Sequence, residues 1–286
     1  MLLQGALSGL ALGGVYAIMA VSLVLMARLI RVINFAVAAV GMFGAYAAQA
    51  VVQVGGGGIT ALICGALIGA VISLLIGLII TTWLAEADVG ARSATTVGAL
   101  LLLLSLSFVL FGTAPMAFRP IVTGSAFTIG SVVISNITLT LLVSALLIAA
   151  AAKAVLTFTM IGTQLRAISD RPITAELLGL NVAALTLSVW ALSGLIVTLV
   201  IMVVAPVQTS DASSLALLVI PATAAALFAQ FQRLDLALIG GLGLGTMQGI
   251  LAQMSGTQVL RDWLPLLLIL CLLLWAQRRE TWDEAR

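Results

Sequence analysis

Apolar runs about as long as a membrane-spanning helix follow one another along almost the whole of this chain. Nine can be marked, at roughly 4–27, 31–53, 59–84, 93–112, 136–159, 183–205, 212–230, 235–256 and 262–277. A hydrocarbon layer about 30 Å thick is crossed by about 20 residues of α-helix. The apolar residues form runs instead of alternations or one-sided stripes, so these segments read as helices embedded in lipid. Charge agrees, because 12 basic and 10 acidic residues make up only 8% of the 286, against about 25% in soluble domains. So few charges cannot coat a globule. The expected fold is therefore an all-α integral membrane bundle of about nine segments, a single domain over residues 1–286. Segments 31–53 and 212–230, interrupted by polar residues or proline, are expected to be broken or re-entrant. The first run starts almost at Met1 without a basic leader, which reads as a retained span.

Basic residues set the expected orientation. If all nine segments cross with the N-terminus outside, one face collects Arg28, Arg31, Arg92, Arg166, Arg171, Arg233, Arg278, Arg279 and Arg286, and Lys153 can snorkel to it. The opposite face receives only Arg119 and Arg261. The chain is thus expected N-out and C-in. Glycines four residues apart (Gly9 with Gly13, Gly65 with Gly69, and Gly241, Gly245, Gly249) suit close helix packing and carry no chemistry. Met19, Met26, Met42 and Met202 read as packing.

One residue type is missing and another occurs once, and this narrows the function. Without histidine there is no zinc-protease helix motif and no serine–histidine dyad. Ser105 and Ser107 have no base beside them, which counts against an intramembrane enzyme. Lys153 is the one lysine and lies in an apolar run, so the chain has no P-loop. Glu86, Asp88, Asp170, Glu176, Asp211, Asp235 and Asp262 all fall at loop or helix ends. Ion-driven carriers usually place an ionisable group near midplane. A transporter with neither device draws its energy from a partner. No metal site or cofactor is expected in this chain, and no nucleic-acid partner. Cys64 and Cys271 lie inside apolar runs and are expected to stay unpaired.

The stretch 160–182 is the longest polar segment on the basic face. Pro172 suits a first helical position, Ser169 and Asp170 precede it as acceptors, and Gly179 suits a left-handed helix end. A helix over 172–178, about 10 Å long, would carry Ile173 and Leu177 on one face. Such a peg suits a groove in another protein; a solvated loop with one helical turn is the plainer alternative.

The residues Arg166-Ala167, Asp170 and Ala175-Glu176-Leu177-Leu178-Gly179-Leu180-Asn181 resemble the coupling loop of ABC importer permeases, and more narrowly of the branched-chain amino acid permease family. The opening agrees: Gly9-Leu10-Ala11-Leu12-Gly13-Gly14-Val15-Tyr16-Ala17 and Val32-Ile33-Asn34-Phe35-Ala36 are similar to that family's signature, and Gly240–Gly245 fits in position. The resemblance covers nearly the whole chain. It implies a bacterial inner-membrane permease with two cytoplasmic ATPase subunits that bind ATP and magnesium, a second permease subunit and an extracytoplasmic solute-binding protein. It also implies that Arg166, Ala167, Asp170, Ile173, Ala175, Glu176, Leu177, Leu178, Gly179 and Asn181 contact the ATPase.

Two departures bear on the substrate. Asn34-Phe35-Ala36 continues as Val37-Ala38-Ala39-Val40 where the family places polar residues, and Ala229-Gln230-Phe231-Gln232-Arg233 replaces a glycine-rich turn. The default substrate is a branched-chain or other hydrophobic amino acid; the departures admit a more apolar organic acid or amide. Asn34, Gln208, Ser213 and Ser214 are the candidates for the substrate path, with Thr209, Ser210 and Asp211 at its mouth. Ser213 and Ser214 would cap a half-helix interrupted by Pro221. For Asn34 the simpler role is an interhelical hydrogen bond. The competing reading of the chain is an ion-coupled secondary transporter.

Overall fold

A computed structural model describes residues 2–129, 132–208, 211–254 and 256–283. Twelve helices follow in chain order: α1 (Leu2–Ile30), α2 (Val37–Gln53), α3 (Gly58–Trp83), α4 (Val89–Phe111), α5 (Asn136–Phe158), α6 (Met160–Asp170), α7 (Pro172–Leu177), α8 (Val182–Val204), α9 (Ala212–Ala216), α10 (Val219–Phe228), α11 (Leu234–Gln253) and α12 (Gln258–Asp283). Seven of them (α1, α3, α4, α5, α8, α11 and α12) are long and apolar enough to cross a membrane. The other two apolar stretches, Val37–Gln53 and Ala212–Phe228, are shorter, and they correspond to the two interrupted runs. Between α4 and α5 an antiparallel hairpin, β1 (Ser125–Ile129) and β2 (Val132–Ser135), sets Ser125 opposite Ser135.

The centre of the bundle is α1. From Gly13 to Met26 every residue but Leu25 is buried, and α11, α5, α10 and α8 close around it. Met19, Met26, Met42 and Met202 are all core residues. On the periphery, α4, α5 and α12 turn Leu102, Val109, Leu147, Leu270 and Leu274 outward, as helices facing hydrocarbon do. Cys64 and Cys271 are unpaired.

Glycine draws α1 and α11 together. Gly5, Gly9 and Gly13 oppose Gly249, Gly245 and Gly241, and a Cβ on any of them would run into the backbone of the other helix. Without a hydrophobic force between helices in lipid, such close backbone packing supplies much of the association. On the other side of the core, the Trp190 ring lies over Gly77, where no side chain would fit beneath it.

The short segments have local causes. Residues 31–36 leave the helix with Arg31 in the left-handed region at φ 58°. Their backbone then bonds to α4: Ile33 N–H donates to Ser93 Oγ at 3.2 Å, and Phe35 N–H to Thr96 Oγ1 at 3.0 Å. Asn34 Oδ1 accepts from Ala36 N–H at 3.0 Å. Non-helical backbone at this depth persists only when protein satisfies it. In the second segment, Pro221 stands third in α10, where no intrahelical donor is needed. At the end of α10, Gln230 and Phe231 both adopt φ 52°. Two successive left-handed residues explain why glycine suits this turn; here the non-glycine pair holds the strained geometry, with Phe231 N–H closing on Ala226 O at 2.9 Å.

Candidate coupling site

Residues 159–181 form a compact elbow between α5 and α8. Thr159 ends α5 and caps α6, its Oγ1 accepting from Gly162 N–H at 3.1 Å. Gly162 sits against Val155 O and the Leu156 backbone, so α6 can fold back tightly on α5. The helix α6 is amphipathic and was not anticipated. It buries Gly162, Leu165 and Ile168 and turns Thr163, Arg166 and Asp170 outward. The signal was in the three-residue spacing of those apolar positions, masked by the polar residues between them. Two contacts fasten α6 to α1: Ser169 Oγ donates to Arg28 O, and an Arg31 guanidinium N–H reaches Asp170 O at 3.5 Å.

The helix α7 starts at Pro172, as its fixed φ favours. Ser169 and Asp170 are not its caps, contrary to the sequence reading. Both belong to α6, and Arg171 stands at the cap position with no side-chain cap bond. Its far end is a Schellman closure: Gly179 at φ 83° donates to Glu176 O at 2.9 Å, and Leu180 N–H to Ala175 O at 3.1 Å. Asn181 then caps α8, accepting from Ala184 N–H at 2.9 Å. Each end of α7 is thus specified by its own residue, so the turn keeps its shape with little support.

That support is small. In α7 only Ala175 is buried, at 2% exposure, while Ile173 is 75% exposed, Leu177 83% and, just beyond, Leu178 77%. Three large aliphatic side chains on so short an element leave an uncovered apolar tip. Arg166, Ala167 and Asp170 lie beside it on α6, and Glu176 is exposed on α7. Among the described residues, Arg166, Asp170 and Glu176 enter no ion pair; the charge pair present is Arg233–Asp235 at 3.2 Å.

Basic residues gather at this same end. Arg28, Lys153, Arg166 and Arg233 line one cavity, Arg31 reaches Asp170, and Arg92 adjoins Ser93, which receives Ile33. Arg119, whose backbone N–H donates to Gln49 Oε1 at 3.2 Å, lies at the opposite end of α2 and α4.

Among the candidate path residues, Ser213 and Ser214 share the Asp211 turn, whereas Asn34 stands before the start of α2. Asn34 is buried and spends both ends of its amide internally, on Ala36 N–H and, at 3.5 Å, on Met26 Sδ. Ser213 and Ser214 do not cap α9; Asp211 does. Its carboxylate accepts from Ser214 N–H at 3.2 Å and from Ser213 Oγ. The Ser213 hydroxyl is the main reason that carboxyl stays below the ordinary carboxylate range, partly opposed by burial and aided by Ser214. Gln208 is half-buried just before it, and Thr209 and Ser210 lie outside the described residues. Near that end a cavity of about 400 Å³ opens between α2 and α3, lined by Gln49, Phe118, Arg119 and Met202 among others. No sequence motif pointed to it.

The sequence model of a family described as "Branched-chain amino acid transport system / permease component" matches residues 5–273. No curated protein matches the sequence. The solved structure titled "PsaBC from Streptococcus pneumoniae in complex with Fab" superposes with a TM-score of 0.50 over 96% of this chain and 90% of that one, at 16% identity. At that identity the likeness concerns the fold.

Proposed function

Because the chain belongs to the family of permease components of branched-chain amino acid transport systems, we propose that it is the membrane-spanning subunit of an ATP-driven ABC importer in a bacterial inner membrane. The observation carrying this reading is the uncovered apolar tip of α7, shaped at both ends by its own residues and set between two full-length helices. Ile173, Leu177 and Leu178 fill a groove on a cytoplasmic ATPase subunit, while Arg166, Asp170 and Glu176 supply charge-assisted contacts around it. Ala167, Ala175, Gly179 and Asn181 shape the element. The clustering of Arg28, Arg31, Arg92, Lys153, Arg166 and Arg233 at the α7 end favours a cytoplasmic position for that end, with the N-terminus outside.

In this mechanism ATP and magnesium bind to the partner, not to this chain. Closure of the ATPase dimer moves α7. The shift passes through α6 to α1 along the Ser169–Arg28 and Arg31–Asp170 contacts and to α5, and directly to α8. These helices then switch the path between outward and inward opening. The buried polar residues described are hydroxyls and amides (Thr96, Thr198 and Gln248 among them), which suits energy supplied from outside the chain. A second permease subunit and an extracytoplasmic solute-binding protein complete the assembly. The substrate is a branched-chain or other hydrophobic amino acid, or a more apolar organic acid or amide.

The test is to tag the chain, extract it in mild detergent and identify what co-purifies. A stoichiometric P-loop ATPase is expected. Arg166→Ala and Glu176→Lys should cut both uptake and transport-linked ATP hydrolysis while leaving the amount of protein in the membrane unchanged. Normal uptake in both variants, or gradient-driven uptake by the chain alone, would overturn the reading.

A further inference from the structure

Two cavities adjoin at the C-terminal end of α5, with Leu156 on the wall of both. One, of about 280 Å³, lies between α1, α5 and α8 and is floored by Leu165 of α6. Its wall is aliphatic, with Leu25, Leu29, Val155 and Ile196 prominent and only the hydroxyls of Ser22 and Ser193 to offer a hydrogen bond. The Ser193 side chain is 6% exposed, and its Oγ has no hydrogen-bond partner among the described residues. The other cavity, of about 170 Å³, is lined by Arg28, Lys153, Arg166 and Arg233, with Asp235 as the one carboxylate. Asp235 is already paired with Arg233, so Arg28, Lys153 and Arg166 are left with no ion pair among the described residues. Arg28 and Arg166 stand next in sequence to Leu29 and Leu165 of the apolar wall. A cationic mouth therefore opens onto an aliphatic slot.

That juxtaposition selects an amphiphile with one anionic end. A zwitterionic amino acid would find no partner for its ammonium group in the slot, and a buried unpaired charge is strongly disfavoured. Water would find two hydroxyls at most, fewer than the about three polar partners a buried water typically has. We propose that the paired cavities bind an anionic phospholipid of the inner leaflet. Its phosphate sits among Arg28, Lys153 and Arg166, and an acyl chain lies between α5 and α8. The Ser193 hydroxyl can donate to an ester oxygen of the same molecule. Basic pockets between spanning helices on the cytoplasmic side have the chemistry to hold such headgroups. The lipid would touch Leu165 and Arg166, so its presence would bias where α6 and hence α7 sit. This last consequence rests on α7 being the coupling element; the lipid site does not.

The experiment is native mass spectrometry of the tagged chain, with whatever subunits accompany it, titrated with phosphatidylglycerol or phosphatidylethanolamine. Phosphatidylglycerol should be retained preferentially. Lys153→Ala should weaken its retention about fivefold, and adding Arg28→Ala should weaken it by about as much again. Ala152→Phe, which fills the slot and keeps every charge, should also weaken it, with the thermal midpoint recorded to show the chain is folded. Ala151→Phe, at the rim of the same slot, serves if Ala152→Phe does not fold. Equal retention of the two lipids, or retention indifferent to the cation variants, overturns the proposal. So does an equal thermal shift from inorganic phosphate alone, which would make this an anion site without a lipid. Loss of the ATPase with unchanged lipid in Lys153→Ala would reassign the cations to subunit docking and overturn it as well.

Discussion

Replacing Gly245 by alanine tests whether the α1–α11 seam holds this bundle together by backbone proximity. The new methyl carbon would lie 2.7 Å from Gly9 O and closer still to the backbone of Gly13. Ordinary contact between such atoms needs about 3.5 Å, so the helices must part by more than about 0.8 Å, with the nearer Gly13 backbone setting the distance. Every atom in the way is backbone, so no side chain can rotate aside. Overpacking of this kind costs about 1–3 kcal/mol, against about 1 kcal/mol returned by the better helix propensity of alanine. The matched control is two residues away: Gly243 has nothing within 4 Å of a built Cβ. Gly243→Ala should therefore hold or raise stability, while Gly245→Ala lowers it by up to about 2 kcal/mol net. The readout is the unfolding midpoint of both purified variants in the same detergent. If the two shift alike, the seam does not depend on close approach and the packing argument fails.

Thr96→Val keeps the shape of the side chain but removes the acceptor for Phe35 N–H and the hydroxyl that lies 3.1 Å from Ile33 O. A buried donor left unpaired costs about 1–3 kcal/mol, so this variant should lose stability in the same assay and expose residues 31–36 to faster hydrogen exchange; unchanged exchange there would count against the anchoring. Asp211→Asn probes the cap of α9 by pH. The carboxyl is held below its ordinary value by Ser213, so its stabilising contribution is present above the unfolded pKa of about 3.9 and fades as pH falls through the lower folded value. Wild type should exceed the variant at pH 6 and converge with it in the acid window below about pH 4; parallel curves throughout would refute the assignment.

Some of this could be read from the chain without its fold. Lipid leaves backbone groups no partner outside the chain, so runs of about 20 apolar residues have few options beyond spanning helices. The interrupted runs 31–53 and 212–230 are indeed the two shorter apolar stretches of the structure. Pro172 and Gly179 mark the ends of α7 because proline fixes its own φ and glycine accepts a positive φ without steric cost. The wrong assignments concern side chains with several bonding choices. Ser169 was free to cap α7 and instead reaches Arg28 on α1; Ser213 and Ser214 were plausible caps, but Asp211 beside them is the stronger acceptor.

What the sequence alone determined is the class of the molecule, its long apolar helices and the shape of α7, all set by interactions within a few residues or by the solvent around the helix. Only the tertiary structure decided the rest. Residues 31–36 are held by Ser93 and Thr96, some sixty positions along the chain, and α6 lies against α1 through residues about 140 positions apart. The cationic mouth over an aliphatic slot draws on α1, α5, α6, α8 and the turn before α11. Such sites depend on which helix faces meet, and in lipid that is decided by where backbones can approach, as along the glycines of α1 and α11, and not by the apolar pattern, which is nearly the same on every face.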